Sequence, residues 1–154
     1  MEFTFEVINN LRQKFKNIIE ETSLENLNKI PQGFNNNIIW NIGHVVVSEQ
    51  LLAYKLCNME SSLSDEMINK YRKGTKPLNA LSQVEVDQIK ELLLVTSNQT
   101  KNDYSNNKFK NYNPYTVSTT GNSLNNIEDA LQFIAIHEGL HYGYVLALLK
   151  AIKS

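Results

Sequence analysis

Two of the three histidines in this chain, His137 and His141, stand four residues apart in a long apolar-periodic stretch. On a helix that spacing puts both imidazoles on one face, with Cβ atoms roughly 5–6 Å apart, so the two rings can close on one ion. The third histidine, His44, lies within a second apolar-periodic stretch, Asn36 to Cys57. One imidazole from one helix and a pair from another can present three nitrogens to a divalent metal inside a helical bundle and leave a coordination position open. An open position is what a catalytic metal needs and a structural one lacks.

A single histidine on an apolar helix face is ordinarily a satisfied core residue. Three that all fall on such faces are harder to explain that way, because buried imidazoles need hydrogen-bond partners or a metal. The segment His137-Glu138-Gly139-Leu140-His141 also fits H-E-x-x-H, in which two histidines bind zinc and the glutamate acts as general base of a protease. That reading is weak here. Thirteen residues follow His141 and none is His, Asp or Glu, so the downstream third ligand is missing. No sheet edge is expected to hold an extended peptide. Glu138 sits about 100° round a helix from His137 and about 60° from His141. It is therefore a candidate for proton transfer at the rim of the site, set against a solvated or intersubunit glutamate. Glu138 and Glu49 are the remote candidates for a fourth protein ligand.

The elements that must position these residues read as four long helices. Phe5, Ile8, Leu11, Phe15, Ile18 and Ile19 recur at three and four and predict a helix over 3–21. Pro31-Gln32-Gly33 interrupts the chain. Trp40, His44, Val47, Leu51 and Tyr54 predict a second helix over 36–58, with His44 on its apolar face. The polar stretch from Glu60 to Leu81 has room for a short helix from Ser64 or Asp65 and is long enough to cross a bundle from end to end. Ser82-Gln83-Val84-Glu85 is a capping box that opens a third helix, 82–106. A turn-rich loop from Lys108 to Asn122 leads to the fourth, 123–152, with Ala130, Ile134, His137, His141, Tyr144 or Val145, and Leu148 on one stripe. No segment alternates with period two, so no strand pairing is expected. The class is all-α, one domain over 1–154.

Composition narrows the partners. Fifteen Lys and Arg face sixteen Asp and Glu, a formal net charge of -1 with no basic block, which argues against nucleic acid. No apolar run approaches a membrane span, and the first residues lack the basic and apolar regions of a secretory signal. The single cysteine, Cys57, has no internal disulfide partner and no flanking base, so it reads as core filler in a protein of the reducing cytoplasm.

The chain resembles the DinB/YfiT-like superfamily of small helical metalloenzymes. The resemblance rests on Gly33-Phe34-Asn35-Asn36-Asn37-Ile38-Ile39-Trp40-Asn41-Ile42-Gly43-His44, on Asn113-Pro114-Tyr115-Thr116 through Gly121, and on Ile127-Glu128-Asp129-Ala130 leading to His137-Glu138-Gly139-Leu140-His141-Tyr142-Gly143-Tyr144. These segments keep the order and spacing of that family across nearly the whole chain. The resemblance implies a four-helix bundle with a long crossover between its second and third helices. It also implies a divalent metal on His44, His137 and His141, and a homodimer. It further implies either transfer of a low-molecular-weight thiol or hydrolysis, with a non-catalytic metal-binding bundle of a stress response as the competing class. Three neutral imidazoles leave a dication at full charge, so a thiol or a water offered to it is acidified. Zn, Ni and Fe(II) all accept imidazole, so the ligands alone do not choose the metal. Trp40 and Tyr144 are candidate pocket walls, and the 113–121 loop is a candidate cover for the mouth.

Overall fold

The computed structural model describes residues 1–153 and is all-α apart from one short ladder. Its helices are α1 (Glu2–Glu21), α2 (Leu24–Asn28), α3 (Ile38–Ala53), α4 (Asp65–Tyr71), α5 (Gln83–Ser105) and α6 (Ile127–Lys153). The four long ones pack around shared apolar faces: α1 lies against α5 and α6, and α3 against the same two, with α2 and α4 laid on α3. Among the described residues no helix is long and apolar enough to cross a membrane.

Local chemistry sets the helix starts. The Ser82 hydroxyl accepts from the Glu85 amide while the Glu85 carboxylate accepts from the Ser82 amide, so the anticipated capping box forms. Asn37 caps α3, its side-chain oxygen accepting from the Trp40 amide at 2.8 Å, and Ser64 caps α4 through the Met67 amide. The second helix is shorter than its apolar pattern predicts. After Ala53 the chain tightens into a 3-10 turn, Lys55–Cys57, and leaves it at Asn58, whose φ of 56° is left-handed.

The expectation of no strand pairing is corrected. Tyr115–Thr116 pairs antiparallel with Ser123–Leu124, so α6 begins at Ile127 and not at 123. The turn between them closes through the Val117 amide on the Asn122 carbonyl at 2.9 Å, with Gly121 at a φ of 75° that a side chain would resist. Two residues per strand are too few for alternation to show.

α3 is buried on every side from Ile38 to Val47, which makes it the central helix. The apolar interior has two clusters, one around Phe15, Ile42, Leu93 and Leu148 and one around Ile8, Tyr54, Leu131 and Ile134. Along each long helix, polar residues lie between the stretches that feed these clusters: Arg12 on α1, Glu49 on α3, Thr96 on α5, and His137, Glu138 and His141 on α6. The site and a buried ion network occupy that layer.

Candidate metal centre

His44 from α3 and His137 and His141 from α6 meet. Their ring centroids are 4.5 to 5.2 Å apart, and one nitrogen from each lies within 4.8 Å of the other two. His44 and His137 are buried and His141 is half-buried. This is the arrangement the spacing predicts.

Neighbours fix how the rings face. The Nδ1 of His44 lies 2.7 Å from the Tyr71 carbonyl, which can only accept, so Nδ1 carries the proton and Nε2 keeps its lone pair. The Nδ1 of His141 lies 2.9 Å from Asn41 Oδ1. Asn41 presents oxygen there because its amide nitrogen is already donating to the Asn37 carbonyl at 2.7 Å and to Asn36 Oδ1 at 2.9 Å. Again Nε2 is left free. Trp40 stacks on His44 at 5.0 Å with 8° between planes, fixing the plane of the ring, and the Ser48 hydroxyl donates to His44 Nε2 at 3.2 Å. Orienting a ligating imidazole through its second nitrogen is the usual support of a metal site.

Electrostatics also favours neutral rings. Burial, then repulsion from His141 and His44, pushes His137 down to about 3, and burial, then repulsion from His44, pushes His141 down to about 4. His44 is lowered by burial against the pull of its bond to Tyr71. At neutral pH all three rings are uncharged and each keeps a nitrogen lone pair, that of His44 shared with the Ser48 hydroxyl, so the residues present fit a divalent ion. The same shifts predict the acid behaviour of the metal-free protein. A histidine whose folded value lies below its ordinary 6.5 contributes stability that is complete above that value and is lost as pH falls toward the folded one. Burial raises Glu138 against the pull of the Arg12 guanidinium, so it acts in the opposite sense. Three groups outweigh one, so the melting temperature of metal-free protein is expected to fall between pH 6.5 and 4.5. A profile that stays flat or rises on acidification would contradict buried neutral imidazoles.

Glycine is required beside the site. A Cβ on Gly43 would lie 2.6 Å from the Tyr71 ring, whose backbone carbonyl orients His44. Gly43→Ala is expected to cost about 1–3 kcal/mol by overpacking and to weaken metal binding through the displaced carbonyl. Gly139→Ala is the control. A Cβ there meets open space, so α6 should gain about 0.5–1 kcal/mol with no change in metal affinity. Equal metal affinities for Gly43→Ala and the parent would separate Tyr71 from the site.

A cavity of about 290 Å³ opens onto His44 and His137, lined also by Ser48, Leu51, Leu52 and Leu56 and closed on one side by Tyr115, Val117, Ser118 and Thr119. Part of the 113–121 loop, from Tyr115 to Thr119, thus lines one side of the cavity. Trp40 does not line this cavity, and neither does Tyr144. It is exposed and packs edge-on against Phe34, and Val145 takes the buried place on the stripe.

Glu138 is not at the rim, and it is neither solvated nor intersubunit. It is fully buried, with Oε1 accepting from Arg12 Nε at 2.9 Å and Nη2 at 2.6 Å, and it does not line the cavity. The rotation from His137 that was expected to bring it to the edge turns it inward toward α1. Glu49, the other remote ligand candidate, is also buried, accepting from Arg12 Nη2 at 3.1 Å and from the Thr96 hydroxyl at 2.8 Å. Among the described residues neither carboxylate joins the histidine cluster, which therefore has three protein ligands. Arg12, Asn41 and Tyr71 are supporting residues that sequence reasoning missed. The available signal for Arg12 was a charge on the apolar stripe of α1, where it takes the buried place and Leu11 is half-exposed.

The sequence model of the DinB superfamily matches residues 8–145, a span that includes all three histidines. The chain belongs to the DinB superfamily. No curated protein matches it. DinB proteins are often metal-dependent, and in this member His44, His137 and His141 could hold the ion.

Proposed function

We propose that this DinB protein is a metal-dependent enzyme that activates a low-molecular-weight thiol for transfer to an electrophile, with water as the alternative nucleophile. The observation that carries the reading is a cluster of three neutral imidazoles, two of them oriented by hydrogen bonds, that opens into a cavity and has no fourth protein ligand. Bound at these nitrogens, a divalent Zn, Ni or Fe ion supplies Lewis acidity toward a thiol or water in the cavity. The chain's own residues do the rest. Tyr71 and Asn41 hold the tautomers of His44 and His141, Trp40 fixes the plane of His44, and the loop at Val117 forms one wall of the cavity. Leu51, Leu52, Leu56 and Val117 make much of the wall aliphatic, which suits the carbon body of a small thiol better than water alone.

The test is a Co(II)-substituted protein titrated with small thiols, followed by conjugation assays with several electrophiles. A thiol-dependent shift of the cobalt spectrum and metal-dependent conjugate formation are expected. Stable metal binding with no thiol effect and no turnover would favour a bundle that uses the metal only for structure. Proteolysis is not expected, because a cavity of about 290 Å³ cannot take an extended peptide and the one ladder is two residues long. The reading includes a homodimer through the outer face of α6, where Ile136, Leu140 and Leu146 are exposed. Sedimentation of the parent and of Leu140→Glu tests it, a monomeric parent removing it.

A further inference from the structure

The cavity at His44 and His137 has a one-sided charge. Lys55, from the 3-10 turn after α3, and Lys73, from the turn after α4, both line it, and no aspartate or glutamate does. In a chain with as many acids as bases, sixteen against fifteen, such a lining does not follow from composition. Other lysines near element ends are neutralised: Lys70 pairs with Glu85 at 2.7 Å and Lys108 with Asp103 at 2.8 Å. Among the described residues no carboxylate lies within ion-pair distance of Lys55 or Lys73. The Lys73 ammonium donates instead to the Ser118 hydroxyl, on the loop that closes the cavity. Two separate turns thus bring uncompensated positive charge to one small space.

The rest of the lining limits what that charge can meet. Leu51, Leu52, Leu56 and Val117 offer an aliphatic surface, while Ser48, Tyr115, Ser118 and Thr119 bring hydroxyls, and the volume is about 290 Å³. Two ammonium groups at the mouth of a low-dielectric cleft concentrate small anions there. Lysine acts as a mobile point charge, so it suits a carboxylate without demanding one fixed planar geometry.

We propose that the site takes a small aliphatic substrate bearing a carboxylate, which Lys55 and Lys73 bind while the reacting end of the molecule faces His44 and His137. This deepens the thiol-activation reading and rests on it for the nature of that reacting end. Lys55 and Lys73 are specificity residues, since they act on the charge of the substrate and not on its reacting atom.

The experiment compares 3-mercaptopropionate with its methyl ester on the full-length Co(II)-loaded protein, at low and moderate salt. The acid is expected to bind about tenfold more tightly than the ester, the size of one charge-assisted contact, with the advantage shrinking as salt rises. Lys55→Gln with Lys73→Gln shortens each side chain by one atom and keeps an N–H donor but removes the charge. It should abolish the preference while leaving the cobalt spectrum and ester binding as they were. Lys76→Gln, which lies outside this cavity, should keep the preference. Equal binding of acid and ester by the parent would overturn the proposal and leave thiol activation standing. If neither thiol shifts the cobalt spectrum, thiol activation fails, and amide NMR of the Zn-loaded protein decides the carboxylate site separately. Butanoate should then shift the Lys55, Ser118 and Thr119 amides in the parent but not in the double variant, and butyramide should not. No response to butanoate would overturn it.

Discussion

His44→Ala is expected to lower divalent-metal affinity by more than about 100-fold, beyond the 10–100-fold range typical of losing a residue that merely orients a ligand. The reason is geometric. His137 and His141 are an i,i+4 pair on α6, and the third nitrogen comes across from α3, so without His44 the ion keeps only two ligands. His137→Ala and His141→Ala should behave alike. Asn41→Leu should fall in the lower range, because it removes the acceptor that sets the His141 tautomer but leaves all three nitrogens. Helicity should survive in each variant, since the apolar clusters that join the helices do not include these rings. Metal content by mass spectrometry after dialysis, with circular dichroism alongside, checks both halves. Unchanged stoichiometry in His44→Ala would remove the cross-helix site, and loss of helicity would show that the imidazoles serve the fold instead.

What the sequence made legible here was what local spacing controls. The His137–His141 pair, the Ser82–Glu85 capping box and the break at Pro31-Gln32-Gly33 are each settled within a few residues, and each forms as read. His44 was legible because its stripe marks it as interior, although which residues it would meet was not. The orientation of the rings was hidden for a physical reason. It depends on a backbone carbonyl at Tyr71, which leaves no trace in residue type, and on an asparagine whose amide direction is set by two further hydrogen bonds. The ladder at Tyr115 and Ser123 was hidden by its length. Glu138 was misplaced because an angle on a helical wheel gives a direction but not what lies there. What lies there is Arg12, from a helix 126 positions earlier in the chain.

That arginine supports the second large effect. Arg12→Ala is expected to destabilise the protein by about 3–5 kcal/mol, the cost of breaking a buried ion pair from one side. Arg12 has no exposed surface, and its guanidinium reaches Glu138 on α6 at 2.6 Å, Glu49 on α3 at 3.1 Å and the Leu93 carbonyl on α5 at 3.1 Å. Removing it leaves two carboxylates in an apolar interior without a cation, and at least one of them must then take up a proton. The network is a poor source of net stability, because desolvating three charged groups offsets most of their attraction. Arg12→Met combined with Glu49→Leu and Glu138→Leu should therefore recover most of the loss, although none of the three changes restores the ion pair. Chemical denaturation of the single and triple variants measures both. What the triple variant does to the metal site separates stability from positioning. Glu138 is the residue after His137, so its bonds to Arg12 bear on how α6 is turned about its own axis, and with it how His137 and His141 face His44. A triple variant that is stable yet binds metal more weakly would show that the ion network sets that angle. A stable variant with unchanged metal affinity would show that apolar packing alone sets it. A triple variant as unstable as Arg12→Ala would mean that the cost lies in lost packing and not in stranded charge.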